Sequence, residues 1–535
     1  MIKICSLQIL SLLCFLLCAC NGKQPGPAIA TPAPLAGYDD PHRPQFHFSP
    51  ATGWMNDPNG MVFYEGEYHL FYQFYPDSTV WGPMHWAHAV SKDMVRWEHL
   101  PVALYPDSLG YIFSGSAVVD WNNTSGFGKD GKPPLVAMYT YHDMVGEKAG
   151  RKNYQSQAIA YSNDRGRSWT KYAGNPVIPN TNNLPDIRDP KVIWHEDSKQ
   201  WVLALAVRDH LQIWGSKDLK TWAYLSDFGK EYGTHQGVWE CPDLFPMVAE
   251  GVTKWVLLLN INPGGPTGGS GTQYFVGQFD GKNFTLDPDF EPFVQHEKAV
   301  WLDHGSDNYA GVTWSDIPKT DGRRLSIGWM SNWDYATVVP TQLWRSAMTL
   351  PRSLELKKTG VGYRVFSRPV KELETLRTQT FNLEKTDQVG IIDLTDQLGF
   401  SPTLSEIDLE IELPENATGA FGIEVSNSQN ERYRVGYDAS KKAFFSDREK
   451  AGNASFSKKF LSGNHYAPRM VDGKNLRLHV FLDAASGELF ADNGATVMTD
   501  IFFPKEDFKQ LSLFSEGGKV QIIKGSVYKL GSIWK

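Results

Sequence analysis

Three short stretches place a carboxylate beside a proline: Trp54-Met55-Asn56-Asp57-Pro58-Asn59-Gly60, Arg188-Asp189-Pro190 and Glu240-Cys241-Pro242-Asp243. Two carboxylates flanking one bond are the minimum equipment for cleaving a glycosidic linkage, one ionised and the other protonated. Asp57 sits among Asn56, Asn59 and backbone donors, which favours its charged form and suits a nucleophile. Glu240 follows the mostly apolar run Gly237-Val238-Trp239, where desolvation and nearby negative charge favour the protonated form and suit an acid. Asp189 has Arg188 as its neighbour and is expected to stay ionised. There it can accept hydrogen bonds from sugar hydroxyls as positive charge develops on the ring. The plainer reading of Asp57 is an Asx turn capping its own backbone. Calcium would want several oxygen ligands within one loop, such as an Asp-x-Asp-x-Asp series. No such series occurs in the chain, so neither a metal nor a cofactor is expected.

Residues so far apart meet only if the fold brings them together. From His47 to about Ser353, short aromatic and β-branched runs alternate with turn residues and almost nothing shows a helical period, so the region reads as all-β. A turn recurs as Ser91-Lys92-Asp93-Met94-Val95-Arg96-Trp97, as Ser162 to Trp169 and as Ser216 to Trp222, with Gly281-Lys282-Asn283-Phe284 as a degenerate copy. Each is expected to be a hairpin feeding an outer strand. Between the copies lie five loops, about 50 to 75 residues apart: the three above, Phe113-Ser114-Gly115-Ser116, and Asp303 to Tyr309-Ala310. Five loops, each opening a four-strand unit, predict a five-bladed β-propeller over residues 41–365 whose loops converge on one funnel. A linker over 366–379 contains the charged stretch Lys371 to Arg377, expected as a short helix. Residues 380–535 carry alternating strands such as Ile407 to Leu413 and Leu476 to Leu482, expected as a β-sandwich with a supporting role.

The chain is 535 residues long with a formal net charge of -8 and no basic block, so nucleic acid is not an expected partner. Its 18 Trp offer flat apolar faces suited to the C–H faces of sugars, although most buried Trp are simply core. Lys3 followed by the apolar run Ile9 to Leu17 is too short to span a bilayer and reads as an export signal over residues 1–20. Leu17-Cys18-Ala19-Cys20 resembles a bacterial lipoprotein cleavage box with Cys20 lipidated. The expected product is an exported protein tethered to a bacterial membrane through residues 21–40, rich in Pro, Ala and Gly; plain secretion is the alternative. Without Cys5, Cys14 and Cys18, only Cys20 and Cys241 remain, which offers no intrachain disulfide framework.

The blocks around Asp57, Ser114, Asp189 and Glu240, in this order, resemble glycoside hydrolase family 32, the β-fructosidases. The similarity extends through Gln73-Phe74-Tyr75-Pro76, Trp81 to Trp86, Trp329 to Trp333 and Met348 to Arg352, and reaches the C-terminal module at Phe481 to Gly494. It departs at Ala484-Ala485-Ser486-Gly487. The resemblance implies Asp57 as nucleophile, Glu240 as general acid/base and Asp189 as transition-state stabiliser. It also implies a fructose subsite lined by Asn56, Gln73, Trp81, Phe113, Ser114, Arg188 and Trp333, with a fructan as substrate. Cys241 could tune Glu240, but free cysteines are mostly buried and inert. Other readings are endo attack on levan, an inverting arabinan or xylan hydrolase on a five-bladed propeller, and a non-catalytic fructan-binding protein. The Gly-rich stretch Asn262 to Gly271 is expected near the mouth of the funnel, where glycine lets backbone approach a sugar. Its likeness to exo-acting relatives favours a pocket over an open cleft.

Overall fold

The structure, a computed structural model, describes residues 37–297, 299–414, 416–461 and 465–534. The expected signal, Cys20 and the tether up to residue 36 lie outside the described residues. The tether was expected to reach residue 40, but the fold already includes Tyr38, which stacks on Trp534 at 3.8 Å, and Asp40, which pairs with the buried Arg43 at 2.9 Å.

Five antiparallel sheets follow one another around a common axis. Their innermost strands are Gly53–Tyr64, Tyr111–Val119, Ile187–His195, Val238–Ala249 and Tyr309–Thr313, here the inner strands of blades I to V. Each packs against the next, and that of blade V against that of blade I. Trp344–Arg345 runs parallel to Gly53 and Trp54 on blade I, and Ser315 bonds to Met61 and Phe63, which closes the ring.

The recurring turn works as its sequence suggests. Asp93 and Asp218 each accept two backbone N–H bonds from the residues that follow, and Asp164 accepts one from Ser168. The tryptophan that ends each copy donates its indole N–H back into the turn, from Trp97 to Met94, Trp169 to Gly166 and Trp222 to Leu219. Met94, Arg165 and Leu219 adopt left-handed backbone with φ of 60 to 62°. The Asx acceptors stabilise that conformation locally, so the motif can be read without tertiary context.

Most of the expected site loops are not loops. Four lie inside the inner strands, and the fifth enters its strand only at Tyr309, with Asp303 to Asn308 leading in; a register irregularity falls in every blade, at Met55/Pro58, Ile112/Gly115, opposite Ala204/Ala206, Glu240/Asp243 and Tyr309/Val312. The physical reason is visible in Pro58, Pro190 and Pro242. Proline cannot donate to a ladder, so within a strand it sits at a free edge or a bulge, and the inner edge of a blade offers both. Bulges bend the strand and re-aim side chains. Left-handed backbone at Asp189, Cys241 and Ala310 (φ 63, 43 and 53°) belongs to the same irregularities and costs roughly 1 kcal/mol or more each.

The outermost strand of blade V, Gly362–Pro369, passes beyond residue 365, and a 3-10 turn over Lys371–Leu376 leads into the strand Arg377–Leu383. The C-terminal domain is a β-sandwich joined through one long strand, Gln510–Leu530. Its first part pairs with Ala420–Ser426 and its second with Ser405–Glu412. Every second residue of Ile407, Leu409 and Ile411, and of Leu476, Leu478, Val480 and Leu482, faces the core, as period-two strands require.

The two domains are joined by buried charge. Arg352 donates to Asp303 at 2.9 Å and to Glu488 at 2.6 Å, while His47 bridges Asp483 and Glu488 at 2.7 and 2.8 Å. Arg448 donates to Asp307 at 2.5 Å, and Tyr335 donates to the same carboxylate at 2.6 Å. Nothing in the sequence pattern pointed to this network.

Candidate active site

A pocket of about 330 Å³ opens at the beginning of the inner strands. Blade I contributes Asn56 and Asp57 from its inner strand, Gln73 from the strand Glu67–Tyr75 and Trp81 from the connection after it. Blade II supplies Phe113 and Ser114, blade III Arg188 and Asp189, and blade IV Glu240. Trp333 comes from the segment after Arg324–Met330 in blade V. All line the pocket together.

Asp57 is held at both oxygens, by Ser114 Oγ at 2.6 Å and by Asn56 Nδ2 at 2.9 Å. Asn56 is fixed in turn by the Trp54 indole at 2.7 Å. Asn59 donates to the Asp57 carbonyl and accepts from the Gly115 N–H, tying blade I to blade II. Asp189 accepts from the Cys241 backbone N–H at 3.0 Å. Glu240 accepts from Arg188 Nη2 at 2.5 Å and Nε at 3.2 Å, and from the Tyr309 hydroxyl. Among the described residues, Gln73 Nε2 is buried without a hydrogen-bond partner, and Gln73 lines the pocket. Trp333 stacks on Trp54 at 5.8 Å and leans on Trp329 at 4.9 Å, while Trp81 meets Phe113 edge-on at 6.0 Å, so apolar faces rim the pocket.

Burial dominates the electrostatics. It raises Asp57 above its ordinary value, the charge of Glu240 adds to the rise, and the bonds from Ser114 and Asn56 oppose it. Burial likewise pushes Asp189 up to about 7, with Arg188 opposing and the charges of Glu240 and Asp57 adding. Two expectations are thereby corrected. Hydrogen bonds do favour charged Asp57, but desolvation outweighs them. Arg188 was expected to hold Asp189, yet its short contacts go to Glu240 and to Asp186 at 2.7 Å, with Asp189 at 4.0 Å. The cause is the bulge: left-handed backbone at Asp189 turns its side chain away from that of its neighbour. Arg188 remains charged, its guanidinium favoured by Glu240, Asp189 and Asp186 despite burial.

Cys241 also differs from expectation. Its thiol lies 3.6 Å from an oxygen of Asp57 and 3.6 Å from one of Asp189, between those carboxylates and not against Glu240. The Gly-rich stretch is a built loop: Gly264 and Gly265 N–H groups bond to Gly268 and Gly269 carbonyls at 2.9 and 2.7 Å. It carries Ser270, whose hydroxyl accepts from the Trp333 N–H at 3.1 Å. A Cβ on Gly269 would fall 2.4 Å from Asn332 Oδ1, so glycine there permits close approach to protein and not to sugar.

Sequence reasoning missed His142, Glu147, Tyr154, Gln155 and Asp186, which complete the lining. His142 stacks on Phe113 at 4.2 Å, bonds Glu147 at 3.0 Å and contacts Gln155 at 3.2 Å. Glu147 sits on the five-residue helix Met144–Lys148, capped by Asp143. A hairpin insertion of that size leaves no periodicity to detect; the Asp143 cap is its only signal. Tyr309 was noted as part of a loop without a role, yet it reaches Glu240.

Residues 47–369 match the N-terminal domain of glycosyl hydrolases family 32, and residues 372–529 match the family's C-terminal domain. The chain is 49% identical over 503 residues to a levanase of Bacillus subtilis (strain 168), across 93% of this chain and 72% of that protein. Its fold matches the crystal structure of exo-inulinase from Aspergillus awamori with a TM-score of 0.84 at 38% identity, covering 93% of this chain and 100% of that one. The β-fructofuranosidase from Schwanniomyces occidentalis, complexed with fructosyl-erythritol, gives 0.81 at 31% identity, covering 92% and 98%. With both domains matched in order and the carboxylates of three blades gathered in one pocket, the chain is a glycoside hydrolase belonging to family 32.

Proposed function

We propose that the chain is a retaining β-fructosidase that removes terminal fructose from a fructan, levan or inulin, and also cleaves sucrose. The observation that carries the reading is the placement of Asp57: both oxygens are held by Ser114 and Asn56 at the base of the pocket that Glu240 and Asp189 share. Asp57 attacks the anomeric carbon and forms a bond to it as the bond to the leaving oxygen breaks, and Glu240 gives that oxygen its proton. Water, deprotonated by Glu240, then displaces Asp57 and releases fructose with retained configuration. Asp189 accepts hydrogen bonds from the sugar hydroxyls, which strengthen as the ring becomes cationic. A bound sugar supplies hydroxyl donors, and so favours the charged carboxylate that burial disfavours.

Attack at the chain end is supported by the 40% identity to a protein named extracellular exo-inulinase. The relatives named levanase and exo-inulinase support the same substrate class. Asp57→Asn is expected to lower turnover on the order of 10⁴-fold or more while the protein stays folded. The parent should release fructose as the only early product from levan, inulin or both, with the first anomer retained by NMR. Oligofructosides preceding fructose would replace exo with endo attack, and an inverted anomer would remove the double displacement.

Export as a lipoprotein is part of the proposal, supported by Lys3, the Ile9 to Leu17 run and the box ending at Cys20. Cys20→Ser should shift the protein from the membrane to the soluble fraction; retention in the membrane would overturn lipidation.

A further inference from the structure

A second cavity, of about 720 Å³, opens at the opposite end of the propeller axis and is larger than the catalytic pocket. The inner strands run from one to the other: Asp189 faces the first and Trp194, five residues on, lines the second, roughly 16 Å further at about 3.3 Å per residue. Between them the axis is plugged. Lys191 Nζ bonds Asp243 Oδ2 at 3.2 Å and the Thr313 carbonyl at 2.7 Å, and the Thr313 N–H donates to Asp243 at 2.5 Å. The far cavity is therefore a separate site and not a rear extension of the active one.

Its floor is polar and unsatisfied. Among the described residues, Asp243 Oδ1 and Thr313 Oγ1 are buried without a hydrogen-bond partner, and both residues line the cavity. Arg324 also lines it; among the described residues its guanidinium makes no hydrogen bond or ion pair and lies only over the Phe245 ring, 4.9 Å from the centroid. Buried polar groups left unpaired weigh against the fold, so acceptor, hydroxyl and donor together mark a place for a hydrogen-bonding ligand. The walls are aromatic: Trp121, 60% exposed, Trp194 and Trp255 come from three different blades. The charges nearly cancel, with Lys191, Lys319 and Arg324 facing Glu196, Asp197, Asp243 and Asp316. That gives an ion no net field to follow. Flat indole faces over a floor of mixed donors and acceptors suit a neutral polyhydroxylated molecule.

We propose that this far mouth is a second, non-catalytic carbohydrate-binding site that takes a short stretch of neutral oligosaccharide, its rings on the indoles and its hydroxyls on Asp243, Thr313 and Arg324. That the natural ligand is the fructan rests on the proposed function; the ligand class does not. The site would hold one part of a polymer while a chain end is trimmed on the other face.

Titration calorimetry of 1-kestose into Asp57→Asn, with and without Trp121→Ala and Trp194→Ala, reads the site directly. The tryptophan pair should remove one bound trisaccharide per chain. In the active enzyme the pair should leave kcat/KM for sucrose unchanged, which verifies the fold, and raise KM for polymeric levan several-fold. Unchanged stoichiometry would overturn the proposal and leave only water in the far mouth. Maltotriose serves as a second probe should the protein hydrolyse none of levan, inulin and sucrose. Binding of either sugar that is lost with the tryptophans then still supports the site, and binding of neither there overturns it.

Discussion

The catalytic pocket and the junction between the domains both bury several charges, and they balance them differently. At the junction Arg352 stands between Asp303 and Glu488, His47 between Asp483 and Glu488, and Arg448 beside Asp307 and Asp500. Against the cost of burial, Arg352 and then His47 hold Glu488 below the usual carboxylate range, and His465 and Arg448 do the same for Asp500. His47, flanked by Asp483 and Glu488, is raised to about 9. Asp307 is the exception, raised because its burial outweighs Arg448. In the pocket Arg188 makes its short contacts with Glu240 and Asp186, and burial raises Asp57 and Asp189 together. A chain that pairs its buried charges so thoroughly at the junction leaves them under-compensated in the pocket, where sugar hydroxyls are proposed to complete them.

The junction should therefore answer to removal of a partner, and the pocket to removal of a charge. Arg352→Met takes the close cation from Asp303, leaves Glu488 with His47 alone, and is expected to cost about 3–5 kcal/mol, seen as a lower thermal midpoint. Below the unfolding range its kcat/KM should match the parent. Lost activity in protein that is still folded would mean that the two clusters are coupled, and the comparison would break.

What was legible in the sequence divides along the same line. The blades could be counted because three hairpins close on their own Asp and Trp, a local arrangement that repeats, and five site segments recur at blade spacing between and after them. Asp57, Ser114, Asp189 and Glu240 could be placed because each lies at a bulge, marked by a nearby Pro or Gly in the sequence. The choice made by Arg188 was not legible: adjacency to Asp189 says nothing about which way a left-handed residue turns its side chain. Glu147 and Asp186 reach the pocket through connections whose course depends on neighbouring blades, and His142 ends the strand Leu135–His142 that leads into one of them. The junction was hidden for a simpler reason. His47 and Glu488 are 441 residues apart, and neither has a pattern that announces the other.

Asp189→Asn sharpens the comparison through pH. Asp189 binds its proton more tightly folded than unfolded, from an ordinary 3.8 to about 7. Its contribution to stability is full below 3.8 and is lost as pH rises through 7, so the carboxylate weighs against the fold at neutral pH. The asparagine variant should accordingly gain on the parent between pH 4 and 7, by up to about 4 kcal/mol if the whole shift is realised. Glu488→Gln should behave oppositely. The lowered Glu488 stabilises above its ordinary 4.5 and loses that contribution as pH falls, so the variant's deficit should shrink on acidification. Thermal midpoints of the Asp189 variant across pH 4 to 8, and of the Glu488 variant from pH 5 downward through the acid range, check the two signs, and deficits that move the same way with pH would show that the clusters are not opposites after all.

The smallest effect belongs to Cys241, the uncharged group inside the crowded pocket. Burial first, and then the charges of Asp189 and Asp57, push its thiol well above the ordinary range, so it stays neutral between the two carboxylates. A neutral sulfur separates the like charges, while the backbone N–H of the same residue binds Asp189. Serine keeps that N–H and places a smaller polar atom in the gap, so Cys241→Ser should change kcat/KM by less than about tenfold. The native thiol, buried and protonated, should resist iodoacetamide until the protein unfolds, with peptide mapping used to follow residue 241 alone. Alkylation of the folded enzyme at neutral pH would reveal a reactive thiolate. The pocket would then hold a fourth anion, and a neutral spacer could no longer account for how Asp57 and Asp189 are kept apart.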